Sequence, residues 1–221
     1  MDKTTRVVTD KVRLSYVHLF QPYTYQQGQD PKYSCTVLVP KTDTATKARI
    51  DAAIEAAKQE GASSKWGGQS PPVVPVPVYD GDGVRPSDGQ PFGDECKGHW
   101  VFTASSKQAP QVVDQAINPI IDQSEVYSGM YARVSVNFFA YNSTGKKGIG
   151  CGLNNVQKIT DGEPLGGRTT AAEDFGGAGQ GAAMPATGAP QMNQTAYSQA
   201  TQAAFGTPAI DPITGMPMAG R

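Results

Sequence analysis

The feature that most limits what this chain can fold into is a change of composition at Arg168. Before it, aromatic and β-branched residues alternate with charged ones, and Gly and Pro punctuate the turns. After it, Ala, Gly, Thr, Pro and Gln make up 38 of the last 53 residues. Such a segment buries too little apolar surface to offset the entropy lost on ordering. We therefore predict one folded domain over residues 1–168 and a disordered low-complexity tail over 169–221.

Charge is nearly balanced, with 19 Lys and Arg against 20 Asp and Glu. This balance gives no support for nucleic-acid binding through bulk charge, so binding of that kind needs a local groove. The chain starts without an apolar signal segment, and no apolar run approaches the ~20 residues of a membrane span. The three cysteines, Cys35, Cys96 and Cys151, are odd in number and widely spaced. We expect reduced cysteines, no metal or other cofactor and no membrane association.

Alternation of apolar and polar residues predicts β-strands separated by turn sequences. The five main strands are expected at 12–20, 32–39, 99–104, 130–141 and 149–159, with a short strand at 111–114 and an edge strand at 76–79. Gln21 and Pro22 are expected to end the first strand. Gly148, Gly150 and Gly152 predict a bulge or a barrel bend.

One helix is predicted between the second and third main strands. Thr42 or Asp43 is the expected N-cap, Glu60 is the approximate end, and Gly61 is the stop residue. A single apolar stripe on this helix would face a sheet. The fold class is therefore mainly β with one inserted helix, and a small, partly open five-stranded barrel plugged by the helix satisfies the pattern.

The sequence carries little that favours catalysis. His18 and His99 are the only histidines, and neither lies at a metal-ligand spacing from a cysteine or a carboxylate. Asp80 and Asp82 start a segment similar to a calcium loop, but Pro91 stands where that loop needs Glu. We expect a protein that is not an enzyme. A metal-dependent nuclease using Asp80 or Asp82 is the third-ranked alternative.

Aromatic and basic residues are interleaved through the domain, as in proteins that stack bases on rings and hold phosphates with Lys and Arg. The candidate stacking residues are Tyr23, Tyr25, Tyr33, Trp66, Trp100 and Tyr131. The candidate phosphate-binding residues are Lys32, Lys107, Arg133, Lys146 and Lys147. Tyr23 and Tyr25 are the better stacking candidates, because they lie in a polar loop that offers no core. About half of the aromatic residues in the strands are expected to belong to the core.

Four segments, 98–107, 126–133, 148–158 and 161–168, resemble a bacteriophage family of single-stranded DNA-binding proteins. The near-continuous run from 148 to 168 is the most specific of these. The resemblance implies an OB-fold and sequence-independent binding to single strands during phage replication, recombination or repair. It also implies a location in the cytoplasm of the infected bacterial host. RNA binding and self-association stay open.

Residues 169–175 form a short acidic and aromatic segment that contains Glu173, Asp174 and Phe175. Phage and bacterial proteins of this function commonly end in such a segment and recruit replication or recombination partners with it. Here the segment is internal, and residues 176–221 are suited to spacing or to weak multivalent contact. An alternative of another class is a β-rich phage structural or assembly protein with an interaction tail.

Overall fold

The computed structural model describes residues 3–25, 28–143 and 146–166. Within these ranges, the chain forms eight strands and one α-helix, together with short 3₁₀ turns. The strands are β1 (Arg6–Val8), β2 (Val12–Tyr23), β3 (Lys32–Pro40), β4 (Tyr79–Asp80), β5 (His99–Ser106), β6 (Gln111–Val113), β7 (Tyr131–Ser143) and β8 (Lys146–Thr160), and the helix is α1 (Thr44–Ser64).

Five of the strands close into a ring in the order β2, β3, β5, β8, β7 and back to β2. All neighbours in the ring are antiparallel except β5 and β8, which are parallel and pair at Ser105 and Gly152. This five-stranded barrel, with its helix after the second strand of the ring, is the predicted OB-fold-like architecture. β1 pairs with β7 ahead of β2, and β6 pairs with β8. The sequence pattern did not predict the short strand β1.

The helix closes one end of the barrel, as predicted. Its residues Ile50, Ala53, Ile54 and Ala57 are buried in the same apolar cluster as the inward side chains of the strands. Asp43 is the N-cap, and its carboxylate accepts a hydrogen bond of 2.9 Å from the backbone N–H of Thr46. The helix starts there because the cap satisfies an amide that has no intrahelical acceptor.

Gly61 does not end the helix, contrary to the prediction, since α1 continues to Ser64. A Cβ atom at Gly61 would lie 2.4 Å from the Cβ of Ala140 and 3.1 Å from the ring of Trp66. The glycine is therefore required by close packing of the helix against β7 and Trp66. The lack of a side chain at Gly61 allows this close packing, whereas the sequence suggested that the glycine ends the helix.

Two other predicted boundaries differ from the structure. β2 continues through Pro22 to Tyr23, because this part of the strand pairs with β3 alone and proline is tolerated at a sheet edge. The predicted edge strand at 76–79 is reduced to Tyr79–Asp80, which pairs with β5. The extension of β2 positions Tyr23 beside the start of β3.

The glycines of β8 pair regularly with β7, so the predicted bulge at 148–152 is wrong. Gly148, Gly150 and Gly152 lie opposite Tyr141, Phe139 and Asn137. The register shifts in this pair of strands occur elsewhere, beside Ser135 and Tyr131.

Candidate functional site

Three aromatic rings meet where β2 leaves the barrel and the chain turns toward β3. His18 and Tyr23 stack with their centroids 4.6 Å apart and 13° between their planes. Tyr25 packs edge-on against Tyr23 at 5.1 Å, and its hydroxyl shares a hydrogen bond of 2.9 Å with that of Ser34. We call His18, Tyr23 and Tyr25 the aromatic cluster. All three rings are partly exposed, so the cluster is a surface feature and not a part of the core.

A bulge in β2 brings His18 into this cluster. Tyr16 has a φ of 48°, and the pairing of β2 with β3 shifts between Ser15 and His18. Without the extra residue, strand alternation would place Val17 on the outer face where His18 now lies. His18 was not among the predicted site residues, because alternation of residue types in the sequence does not reveal a bulge.

Two exposed lysines lie at the same end of the barrel as the aromatic cluster. Lys32 is directly opposite Tyr23 in the β2–β3 pairing, and Lys107 follows the end of β5. Lys107 forms an exposed ion pair with Asp30, and the hydrogen bond from Lys107 lowers the pKa of that carboxyl. A ligand phosphate that approached Lys107 would therefore compete with a carboxylate that is already ionised.

A row of directly paired residues runs around the outside of the barrel from the aromatic cluster to β7 and β1. We call it the lateral row, and its members are His18, Ser34, Ser105, Gly152, Asn137 and Arg6, contributed in turn by β2, β3, β5, β8, β7 and β1. The middle of the row consists of two serines and a glycine. Ser34 is fully buried, whereas Ser105 and Gly152 are partly exposed.

A surface groove with a volume of about 690 Å³ lies over the β8 half of this row. Ser105 and Gly152 form part of its wall, together with Gln108, Asn137 and Phe139. The lining is mostly amide and hydroxyl groups, which both donate and accept hydrogen bonds. The groove and the aromatic cluster therefore belong to one continuous outer surface.

Trp66, a predicted stacking residue, is buried in the core with 4% of its surface exposed. Its indole N–H donates a hydrogen bond of 3.0 Å to the carbonyl of Tyr141. Neither face of the ring is open to a base in this structure. The neighbouring Lys65 suggested a surface position in the sequence, but contacts with β7, far along the chain, determine the burial.

Trp100 and Tyr33 lie at opposite ends of the β3–β5 pair. Trp100 is paired with Val39 and lies beneath the ammonium groups of Lys41 and Lys47, at 5.2 and 4.5 Å from its ring. It is thus part of a separate surface beside the helix. Tyr33 is partly exposed opposite Ser106, at the end of the barrel where the aromatic cluster is found.

The remaining predicted residues fall at two other places. Tyr131 and Arg133 begin β7: Lys11 lies 5.3 Å from the Tyr131 ring, and Arg133 donates a hydrogen bond of 3.2 Å to the carbonyl of Thr9. Lys146 is exposed at the tip of the β7–β8 hairpin, and Lys147 donates to the carbonyl of Trp66 at 3.3 Å. Of the predicted set, the structure places Tyr23, Tyr25, Lys32, Tyr33 and Lys107 at the same end of the barrel, with Tyr33 on the other face of β3 from Lys32.

Asp80 and Asp82, the residues of the nuclease alternative, both pair with Lys41, at 2.5 and 2.6 Å. The hydrogen bond from Lys41 lowers the pKa of each carboxyl. In the described part of the chain, no cluster of three or more His, Cys, Asp or Glu side chains is arranged to hold a metal ion. No described helix is long and apolar enough to cross a membrane. Glu173, Asp174 and Phe175 lie outside the described residues.

Comparison with known proteins gives matches over most of the chain. A model of the family described as Enterobacter phage Enc34, ssDNA-binding protein, matches residues 5–184. The solved structure of the single-stranded DNA-binding protein from bacteriophage Enc34 in complex with ssDNA is 32% identical in sequence. It superposes with a TM-score of 0.62 over 74% of this chain and 91% of that chain.

Two further proteins are similar. Protein p50 of Acyrthosiphon pisum secondary endosymbiont phage 1 is 30% identical over 176 residues, which cover 77% of this chain and 92% of p50. The single-stranded DNA-binding protein gp2.5 of bacteriophage T7 is 13% identical, with a TM-score of 0.51 over 75% of this chain and 97% of gp2.5, and shares the fold. The matched family and the solved structures are single-stranded DNA-binding proteins.

Proposed function

The chain belongs to the Enterobacter phage Enc34 ssDNA-binding protein family, and on that premise we propose that it binds single-stranded DNA without sequence preference. Its place would be phage DNA replication, recombination or repair, in the cytoplasm of the infected host. The observation that carries the proposal is the partly exposed aromatic cluster, with Lys32 and Lys107 at the same end of an OB-fold-like barrel.

The mechanism follows from the chemistry of these side chains. Bases stack on Tyr23 and Tyr25, and each stacked base contributes about 1–3 kcal/mol regardless of its identity. Lys32 and Lys107 neutralise phosphates, with Tyr33 adding a ring at the end of the barrel. The face beneath the DNA includes Ser105 and Gly152, small residues that offer no ordered set of groups to read base edges. Binding is therefore tolerant of sequence.

Tyr131, Arg133, Lys146 and Lys147 take secondary roles in this proposal. They lie away from the aromatic cluster, and Lys147 is already engaged with the backbone of Trp66. Lys146 is exposed on the hairpin and is the better placed of the two lysines for a phosphate. Trp66 and Trp100 are left out, because one is buried and the other is covered by two lysines.

We retain the proposed division into a binding domain over 1–168 and a tail over 169–221. The family match continues beyond this boundary to residue 184, past the segment that holds Glu173, Asp174 and Phe175. That segment is the proposed contact for replication or recombination proteins. We also propose that copies of the protein associate with one another on single-stranded DNA and that the protein binds RNA.

The test is fluorescence anisotropy with labelled oligo-dT, alone and annealed to its complement, over a range of salt concentrations. We expect tight binding to the single strand, weaker binding to the duplex, and a shallow decrease in affinity with salt, since few phosphates are neutralised. Binding to neither form would instead support the structural or assembly protein. Metal-dependent cleavage of the strand that is lost on changing Asp80 or Asp82 would support the nuclease.

A further inference from the structure

The outer face of the β7–β8 hairpin is built around three glycines. Rings or amides from β7 extend across β8, so that their ends occupy the positions where glycine lacks a side chain. A Cβ atom would lie 2.7 Å from Cζ of Phe139 at Gly150, 2.6 Å from the hydroxyl of Tyr141 at Gly148, and 2.6 Å from Oδ1 of Asn137 at Gly152. Any other residue at these positions would displace the side chain opposite it.

This arrangement has a cost for the sheet. A glycine inside a strand is less favourable than alanine by roughly 0.5–1 kcal/mol, and here there are three at alternate positions. An aromatic ring laid over a cross-strand glycine recovers part of that loss, which gives a purely structural explanation. That explanation does not account for Phe139, which keeps 44% of its surface exposed to solvent. A β-branched pair would make a more stable strand with less exposed apolar surface.

Phe139 also borders the groove described above. Asn137 and Gly152 lie beside it, and Ser105 and Gln108 line the other side. An exposed ring next to amide groups suits a nucleobase, because the ring takes the base by stacking and amides bond to its polar edge. Ser105 and Gly152 also belong to the lateral row, which starts at the aromatic cluster.

The charges around the groove set the path of a phosphate backbone. Arg6 is exposed and paired with Asn137, and Lys146 is exposed at the end of the same hairpin. The acidic residue lining the groove is Glu60, at the helix side. Repulsion by its carboxylate leaves the Arg6 side for the phosphates.

We propose that Phe139, with Asn137 and Tyr141, forms a second base-binding subsite for the same single strand. The strand would pass from the aromatic cluster over β3 to Ser105 of β5 and Gly152 of β8. Along this path, through β3, β5 and β8, four interstrand steps lead from β2 to β7, a contour of about 19 Å at ~4.8 Å per step. This inference rests on the proposed function, and it adds that a long strand contacts both ends of the lateral row while a short one does not.

The experiment compares two oligo-dT lengths, about 4 and about 16 nucleotides, which bracket the range of site sizes for an OB-fold. Affinities are measured by anisotropy for the full chain and for three variants: Phe139→Ala, Phe139→Trp and the control Val73→Ala. Val73 is also exposed, at 81%, and lies outside the groove. Since Phe139 is half-exposed, its replacement is compatible with folding, which a thermal melt of each variant checks.

We expect Phe139→Ala to lower the affinity for the long oligonucleotide by about fivefold or more, the lower bound for one lost stack. The short oligonucleotide should bind as before, and Phe139→Trp and Val73→Ala should bind both lengths like the unchanged protein. An unchanged affinity of Phe139→Ala for the long oligonucleotide would overturn the inference, as would an equal loss for both lengths. If the unchanged protein binds neither length, it is the proposed function that fails.

Discussion

The indole N–H of Trp66 donates a hydrogen bond to the backbone carbonyl of Tyr141, 3.0 Å away, and so ties the segment after the helix to the β7–β8 hairpin. Trp66→Phe removes this bond and leaves space in the core, so we expect the free energy of unfolding to fall by about 1–3 kcal/mol. Affinity for oligo-dT should stay the same. Urea denaturation measures the free energy of unfolding, and anisotropy measures the affinity. A loss of affinity without a loss of stability would show that Trp66 takes part in DNA binding.

Replacement of the clustered tyrosines should give the opposite result. Tyr23→Ala and Tyr25→Ala should each lower the affinity for oligo-dT by about 5- to 150-fold, which corresponds to about 1–3 kcal/mol per lost stack. Stability should change little, because both rings are partly exposed. Tyr25→Phe is the matched control: it keeps the ring and loses the hydrogen bond to Ser34. If Tyr25→Phe binds as weakly as Tyr25→Ala, the hydroxyl and not the ring is the important group.

The ion pair between Lys107 and Asp30 predicts two variants with opposite effects. Lys107→Gln removes one phosphate contact and should reduce the slope of log affinity against log salt by ~0.7. Asp30→Asn removes the competing carboxylate and should raise the affinity at low salt. The measurement is anisotropy at several salt concentrations. Identical behaviour of the two variants would show that Lys107 does not contact the phosphates.

Gly129 is held in a conformation that other residues rarely adopt, with φ at +116°, and a Cβ there would lie 2.1 Å from the carbonyl oxygen of Glu163. We expect Gly129→Ala to destabilise the domain by at least the ~1–3 kcal/mol of backbone strain, because the 161–166 segment must also move. Gly68→Ala is the control, since Gly68 has a φ of +87° with no atom within 4 Å of the added Cβ. Equal losses of stability in denaturation would mean that the contact with Glu163 has no effect.

Lys41 gives the domain a defined pH response through Asp80 and Asp82. Because their pKa values are lowered in the folded state, their contribution is complete above the unfolded value of about 3.9 and is lost as the pH falls through the lowered values. The pKa of Lys41 is raised by hydrogen bonds to the same carboxylates, so its contribution is lost only as the pH rises through that raised value. Lys41→Met should therefore lower the melting temperature between about pH 5 and 9 and have little effect near pH 2. A constant difference at every pH would assign the effect to packing on Trp100.

The sequence predicted the barrel and the order of its elements because those depend on local patterns. Alternation along 32–39 and the Asp43 cap are both visible within a few residues. The exposure of Tyr23 and Tyr25 was predicted for a similar reason, although Tyr23 lies at the end of β2 and not in the polar loop. Their contact with DNA stays a prediction.

The errors came from contacts between segments distant in the chain. Gly61 and Trp66 are explained by Ala140 and Tyr141, and Gly150 is explained by Phe139. The sequence suggested that each glycine interrupts a helix or a strand, whereas in the structure a side chain from another segment occupies the space beside it. Cross-strand partners depend on register, and register is not fixed by the composition of one strand.

The joint between β5 and β8 has a consequence for motion. Among the described residues, these strands pair at Ser105 and Gly152 alone, whereas β7 and β8 pair along their whole length. A closed ring has no free end from which to fray, so local opening should start at its weakest seam, and amide protons flanking Gly152 should exchange sooner than those in the middle of the hairpin. A DNA strand bound along the lateral row would cross the β5–β8 junction and contact both of these β-strands. Bound DNA would then slow the local opening of the barrel, in addition to protecting the amides that the DNA covers.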